Sequence, residues 1–265
     1  MVITGNSSSG RITKIYRNNL NNTFSDINAV ITGIDYSSCT WFDYDNDGYM
    51  DLVTAGDTGS GFITKIYRND AGTFYDINAG LTGVSNGSVV CADYDNDGWT
   101  DLLITGLSGS SSKTILYNNN KGSFSDAQAG LSGLSLSSAS FGDYDSDGDL
   151  DILISGREGN SARTIVYRND GNGVFTDINA GLEGVYGGKV MWADFDNDGG
   201  LDVILNGFNG FNNVTKVYKN ENGIFRDKLN LGLDFISSGS LACADFDGDY
   251  DMDIILSGRT DSGFI

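Results

Sequence analysis

Aspartate recurs in this chain at one spacing, positions 1, 3, 5 and 9 of a nine-residue segment. The copies are Asp43, Asp45, Asp47, Asp51; Asp93, Asp95, Asp97, Asp101; Asp143, Asp145, Asp147, Asp151; Asp194, Asp196, Asp198, Asp202; and Asp245, Asp247, Asp249, Asp253. In an extended chain these carboxylates would stand apart and repel one another. A tight turn through the glycine at position 6, which tolerates positive φ, folds positions 1, 3 and 5 around one centre. The ninth aspartate then approaches from the far side. Four short anionic oxygen ligands suit a hard cation preferring six to eight oxygens, with a fifth from the position-7 carbonyl of Tyr49, Trp99, Asp149, Gly200 or Asp251. The expected cofactor is Ca²⁺, about five ions, one per loop. Magnesium demands stricter octahedral geometry, and zinc would want His or Cys near the loops. An EF-hand needs Glu at position 12, where this chain has Thr54, Ile104, Ile154, Leu205 and Leu256. One Asp-Asn-Asp-Gly run reads equally well as a polar turn; five copies with Asp at all four positions do not. The fifth loop has Gly248 at position 4 and Tyr250 at position 6. Positive φ at Tyr250 would be strained, so this loop is expected to be the weakest or most distorted.

The loops also explain the charge. The chain has 36 acids and 16 bases, a formal charge of −20, and only three of the acids are Glu. The twenty loop carboxylates equal the acidic excess, and five divalent ions would bring the charge to −10. There is no histidine, which excludes Ser-His-Asp and Cys-His chemistry and removes the commonest general base. With the acids committed to metal and no open coordination position, the chain reads as a non-enzyme. The net charge speaks against nucleic acid and anionic membranes as partners. No run approaches the roughly 18 apolar residues of a membrane span. No signal peptide precedes the first strand-like segment, so an exported protein would carry its targeting segment outside these residues.

The elements that hold the loops repeat with them. First residues of successive loops lie 50, 50, 51 and 51 apart; a second signature places Tyr at 16, 67, 117, 167 and 218, and a third places Phe at 24, 74, 124, 175 and 225. Each unit reads as four short strands. Strand A precedes the loop with period-2 apolar positions (Trp41, Cys91, Phe141, Trp192, Cys243 and Cys39, Val89, Ala139, Val190, Leu241), which mark one buried face. The three cysteines fall on that face and are expected to be buried thiols. Strand B follows the loop as an apolar run fit for a central strand, strand C carries the Tyr, and Asn-Gly turns lead to strand D with its Phe. Four-stranded units of about 50 residues predict an all-β β-propeller, one unit per blade, filling residues 1–265 as a single domain. Strands A, C and D each occur five times and strand B six. Five blades are therefore expected, one of them a composite of the N-terminal C and D strands with the C-terminal A and B strands that closes the ring. The spare B strand leaves open a longer array, or exchange of strands between neighbouring protomers.

Asp-x-Asp-x-Asp-Gly-x-x-Asp between two strands, followed by Tyr-Arg-Asn-Asp-Gly-x-Gly-x-Phe, resembles the FG-GAP/VCBS repeat of integrin-α-like propellers, over essentially the whole chain. The resemblance implies a calcium-loaded propeller located outside the cell or on its surface. Family members include adhesion modules, a fungal lectin group and non-catalytic parts of polysaccharide-active enzymes. It carries the metal assignment onto positions 1, 3, 5 and 9 of all five loops. The chain departs from the family in its blade number, commonly seven there, and at Tyr250.

Function is expected where the repeats differ, on loops presented by a rigid scaffold. Arg17, Arg68, Arg168 and Lys219 recur once per unit, with Asn118 as the exception, and are expected to pair with a turn. Phe208 and Phe211 in a B–C loop, with Tyr49 and Trp99 at loop position 7, are candidate stacking platforms for sugar or peptide. Two functions follow. One is a binding or adhesion module, lectin-like in form, that contacts glycan or protein through its loops. The other is a structural repeat unit of a surface filament or tube, self-associating through its terminal strands.

Overall fold

A computed structural model describes residues 1–228 and 231–265. Its described residues form two compact units, Met1–Cys91 with Gly98–Gln128, and Ala92–Asp97 with Ala129–Ile265. The first unit holds three sheets, each ordered as in the sequence. They are β1 (Val2–Ser7), β2 (Gly10–Asn18) and β3 (Phe24–Asp26); then β4 (Asp35–Phe42), β5 (Asp51–Asp57), β6 (Phe62–Asp70) and β7 (Thr73–Asp76); then β8 (Ser85–Ala92), β9 (Asp101–Ser108), β10 (Ser111–Asn120) and β11 (Ser123–Asp126). The second unit repeats the pattern. It has β12 (Ser135–Gly142), β13 (Asp151–Glu158), β14 (Ser161–Asn169) and β15 (Phe175–Asp177); then β16 (Val190–Ala193), β17 (Asp202–Phe208), β18 (Asn213–Glu221) and β19 (Ile224–Asp227); then β20 (Ser237–Ala244), β21 (Asp253–Thr260) and β22 (Gly263–Phe264).

The chain is thus all-β, and its described residues form six β-propeller blades of three or four strands rather than five. Among these residues the expected composite blade does not form. β1 takes the strand-B place beside β2 in the register of the other blades, Val2 facing Ile15 as Val53 faces Ile66. At the other end β20 and β21 pair in their own sheet, Leu241 facing Leu256 as Cys39 faces Thr54. The sixth strand B supplies each terminal sheet with its own centre, so neither needs strands from the other.

Strand B is apolar on both sides because both sides are covered: Leu52 and Val53, Ile152 and Leu153, and Val203 and Ile204 are all fully buried. Within each unit, alternation sends one set toward the preceding sheet and the other toward the following one. Within the first unit Val53 and Ile66 cluster with Val89, Leu102 and Ile104 of the next sheet. Within the second, Leu153 and Val166 cluster with Val190, Trp192, Val203 and Leu205, and Ile204 and Val217 cluster with Leu241, Cys243, Ile254 and Leu256. Each fully buried Leu or Ile contributes about 1.5–3 kcal/mol, so the interface between sheets is where the fold gains its stability. The cysteines are free thiols on this core face, and burial pushes Cys91 far above the ordinary thiol range.

Candidate metal centre

Each aspartate loop is a turn wound on its own first carboxylate. In the loop joining β4 to β5, Asp43 accepts the N–H of Asp47 at 3.1 Å on one oxygen and that of Gly48 at 2.9 Å on the other. The loops beginning at Asp143 and Asp194 repeat both bonds. Two residues take left-handed backbone to make this turn. Position 6 is glycine in four loops, at φ 86°, 87°, 94° and 90°, as the sequence requires. Position 4 is the second, at φ 56° in Asn46, 57° in Asn96, 61° in Ser146 and 56° in Asn197. Asparagine visits this region more readily than most residues. Loop five exchanges the two positions, with Gly248 at φ 81° and Tyr250 at φ 73°. Tyr250 therefore carries the strain expected of it.

The ninth aspartate is buried beneath the turn. One oxygen of Asp51 accepts the Tyr44 N–H at 3.1 Å and the other the Asn69 N–H at 2.7 Å. Asp151 and Asp202 are held in the same way, and all three are fully buried. Burial raises their pKa values against the pull of those N–H donors, to about 6 for Asp51 and about 7 for Asp151. Asp202 moves in the same direction.

Positions 1, 3 and 9 converge. In Asp43/Asp45/Asp51, Asp143/Asp145/Asp151, Asp194/Asp196/Asp202 and Asp245/Asp247/Asp253 one oxygen from each residue lies within 4.8 Å of the other two. The second loop falls across the division between units. Asp97 N–H donates to Asp93 at 3.0 Å in one unit, and Asp101 accepts from Asn119 at 2.7 Å in the other; Asp95 lies with Asp93. Position 5 stands outside the converging set. Asp47 accepts the Tyr49 N–H at 2.9 Å and pairs with Arg68 at 2.8 Å, which together hold its carboxyl below the usual range. Asp198 is held likewise by the Lys219 ammonium and the Gly200 N–H. Asp147 and Asp249 accept the N–H of position 7 at 2.9 Å.

The donors present fit a hard cation. All are carboxylate oxygens, three per centre, and Asp45 Oδ1 is buried with no hydrogen-bond partner, a costly state for an anionic atom without a counter-charge. Two basic residues of strand C serve the loop of their own blade. Arg68 reaches Asp45 and Asp47 at 2.8 Å each, and Lys219 reaches Asp196 and Asp198. Arg168 instead pairs with Asp170 at 2.6 Å.

Two devices escaped the sequence reading. The asparagine after the strand-C Tyr-Arg pair ties blades together: Asn119 donates to Tyr44 O at 2.8 Å, and Asn220 to Tyr144 O at 2.7 Å. Its recurrence as Asn18, Asn69, Asn119, Asn169 and Asn220 was the available signal. The position-4 asparagine links successive loops, Asn46 to Gly98 O at 2.9 Å and Asn197 to Tyr250 O at 2.7 Å. Among the candidate platforms, Phe211 and Tyr49 are exposed and Trp99 is half-buried. Phe208 packs edge-on against Tyr186 with ring centroids 5.7 Å apart.

The FG-GAP-like repeat matches residues 1–54, 43–104, 93–154, 143–205 and 194–256. Among solved structures, the V. cholerae biofilm matrix protein Bap1 is similar at 17% identity and a TM-score of 0.50, over 85% of this chain and 35% of that one. The chain thus spans about a third of that protein's length. No curated protein matches. Each matched segment ends just beyond an aspartate loop, and the five together cover nearly all of the chain: it belongs to the FG-GAP-like repeat family.

Proposed function

We propose that this chain is a calcium-stabilised, non-catalytic β-propeller module working outside the cell as an adhesion or matrix element. The observation that carries the reading is the convergence of three carboxylates in four of the loops, with a buried, unpartnered oxygen of Asp45 in the first of them. Asp43, Asp45 and Asp51 and their counterparts would hold the ion, which supplies the charge that lets these oxygens stay together without water. Extracellular modules bind calcium at roughly 10⁻⁴ to 10⁻³ M, a range met outside cells. Likeness to a biofilm matrix protein and membership of the FG-GAP-like repeats support the same setting. Among the described residues no helix is long and apolar enough to cross a membrane.

Ligands of such a module, glycan or protein, would meet the exposed loops. Phe211, 87% exposed, is the platform best placed for stacking. A glycan array with wild type and Phe211→Ser tests this. Signals lost in the variant support it; arrays blank for both proteins count against glycan recognition. For the metal reading, thermal melts with calcium and with excess chelator decide, and equal melting temperatures would contradict it.

A further inference from the structure

In the second unit a guanidinium lies among aromatic rings instead of acids. Arg157, near the end of β13, stands over Tyr186 with its Cζ 5.9 Å from the ring centroid. Its Nε is buried and has no hydrogen-bond partner, which costs more for a charged donor than for a neutral one. The nearby acids are engaged elsewhere. Glu158 pairs with Arg163 at 3.7 Å, and Glu183 pairs with Lys216 at 3.7 Å and accepts Asn209 Nδ2 at 2.9 Å. The first unit shows how the chain satisfies a guanidinium of its own: Arg11 reaches Asp35 at 2.8 Å and Asp57 at 3.3 Å. The facing positions of those two aspartates hold Ser135 and Arg157 in the β12–β13 sheet, and Tyr186 and Phe208 in the next. These rings are firmly placed. Tyr186 and Phe208 exchange backbone hydrogen bonds at 3.0 and 2.9 Å, and their rings meet edge to face. Phe211 follows in the same loop, where the Asn209 side chain accepts the N–H groups of Phe211 and Asn212 at 2.9 Å each.

We infer that Arg157, Tyr186 and Phe208 form a binding site for an acidic saccharide, one that carries a carboxylate or a sulfate. A guanidinium has donors and no acceptor, and its planar fork matches two oxygens of such a group. The ligand's anion supplies the partner that Glu158 and Glu183 do not. The rings supply rigid apolar faces at little entropic cost, suited to the flat C–H face of a sugar. With a net charge of −20, the protein repels polyanions at long range. Recognition therefore depends on this local fork, and added salt acts on it less than on a diffuse basic patch. The inference rests on the glycan-binding reading proposed above and names the class of glycan.

Calorimetric titration of the 265-residue chain in calcium tests the inference. The probes are tetragalacturonate, its uncharged methyl ester, a sulfated galactan tetrasaccharide and an aspartate-rich peptide. Wild type is expected to bind at least one of the two acidic saccharides, and to bind the methyl ester more weakly than the free acid. Which of the two binds separates carboxylate from sulfate. Arg157→Gln should lower that affinity by about tenfold to a hundredfold with an unchanged melting temperature. Arg157→Lys should recover part of it, since a lysine keeps the charge and loses the fork. Tyr186→Leu should weaken acidic and uncharged saccharides alike, with Phe211→Ser as a second probe should Tyr186→Leu fail to fold. Equal binding of free acid and methyl ester, indifferent to Arg157→Gln, overturns the inference and leaves the glycan-binding reading standing. Binding of no saccharide overturns both. A peptide bound as tightly as the acidic saccharides, with the same dependence on Arg157, overturns the assignment to a saccharide.

Discussion

A carboxylate at loop position 9 lies under opposing demands. Burial raises its pKa, while two backbone N–H groups favour its charged form, and for Asp51 and Asp151 burial dominates. Because the folded pKa lies above the ordinary 3.8, the metal-free fold binds these protons more tightly than the unfolded chain does. Without metal, the contribution of these groups to stability should fall as pH rises from about 4 to 7. On the proposed metal reading, calcium would compete with the same protons. Its affinity should weaken as pH drops through that window, with proton release on binding, measurable by calorimetry in buffers of different ionisation heat. A pH-independent affinity from 5 to 7.5 would contradict this. Tyr250→Gly should relieve left-handed strain worth about 1 kcal/mol and raise the melting temperature, whereas Gly48→Tyr should lower it.

At the scale of elements, the buried asparagine of strand C ties its blade to the previous loop. Asn119 is fully buried and donates to Tyr44 O and Thr100 O. Asn119→Ala would leave both carbonyls and the Gly122 N–H without this partner. It should cost about 2–3 kcal/mol by denaturant unfolding. The strands were legible in the sequence because their alternation and the loop spacing repeat five times. The strap was not, since an asparagine next to a turn is also what an ordinary polar turn contains. The spacing pointed to convergence of positions 1, 3, 5 and 9, of which 1, 3 and 9 come together and position 5 stands outside. The engagement of Asp47 by Arg68 was not legible, because it depends on how β6 lies beside the loop.

For the molecule as a whole, stability resides in the interfaces between sheets. Ile104→Ala, deep in one of them, should cost about 2–5 kcal/mol. The blade number was the part of the fold that repeat counting missed. Six B strands beside five of every other kind fit a composite blade as well as six separate sheets. Register decides between them, since Val2 pairs with Ile15 in the first sheet and Leu241 with Leu256 in the last. On the proposed metal reading, calcium would reach this scale too, because the position-4 asparagines join loop to loop, so loading one centre should steady its neighbours. The most direct test of the whole account is a calcium titration by calorimetry with a parallel thermal melt. The account predicts saturable binding, one ion per loop, and a melting temperature raised by several degrees that chelator reverses. Absence of binding heat together with a melt indifferent to chelator would contradict it.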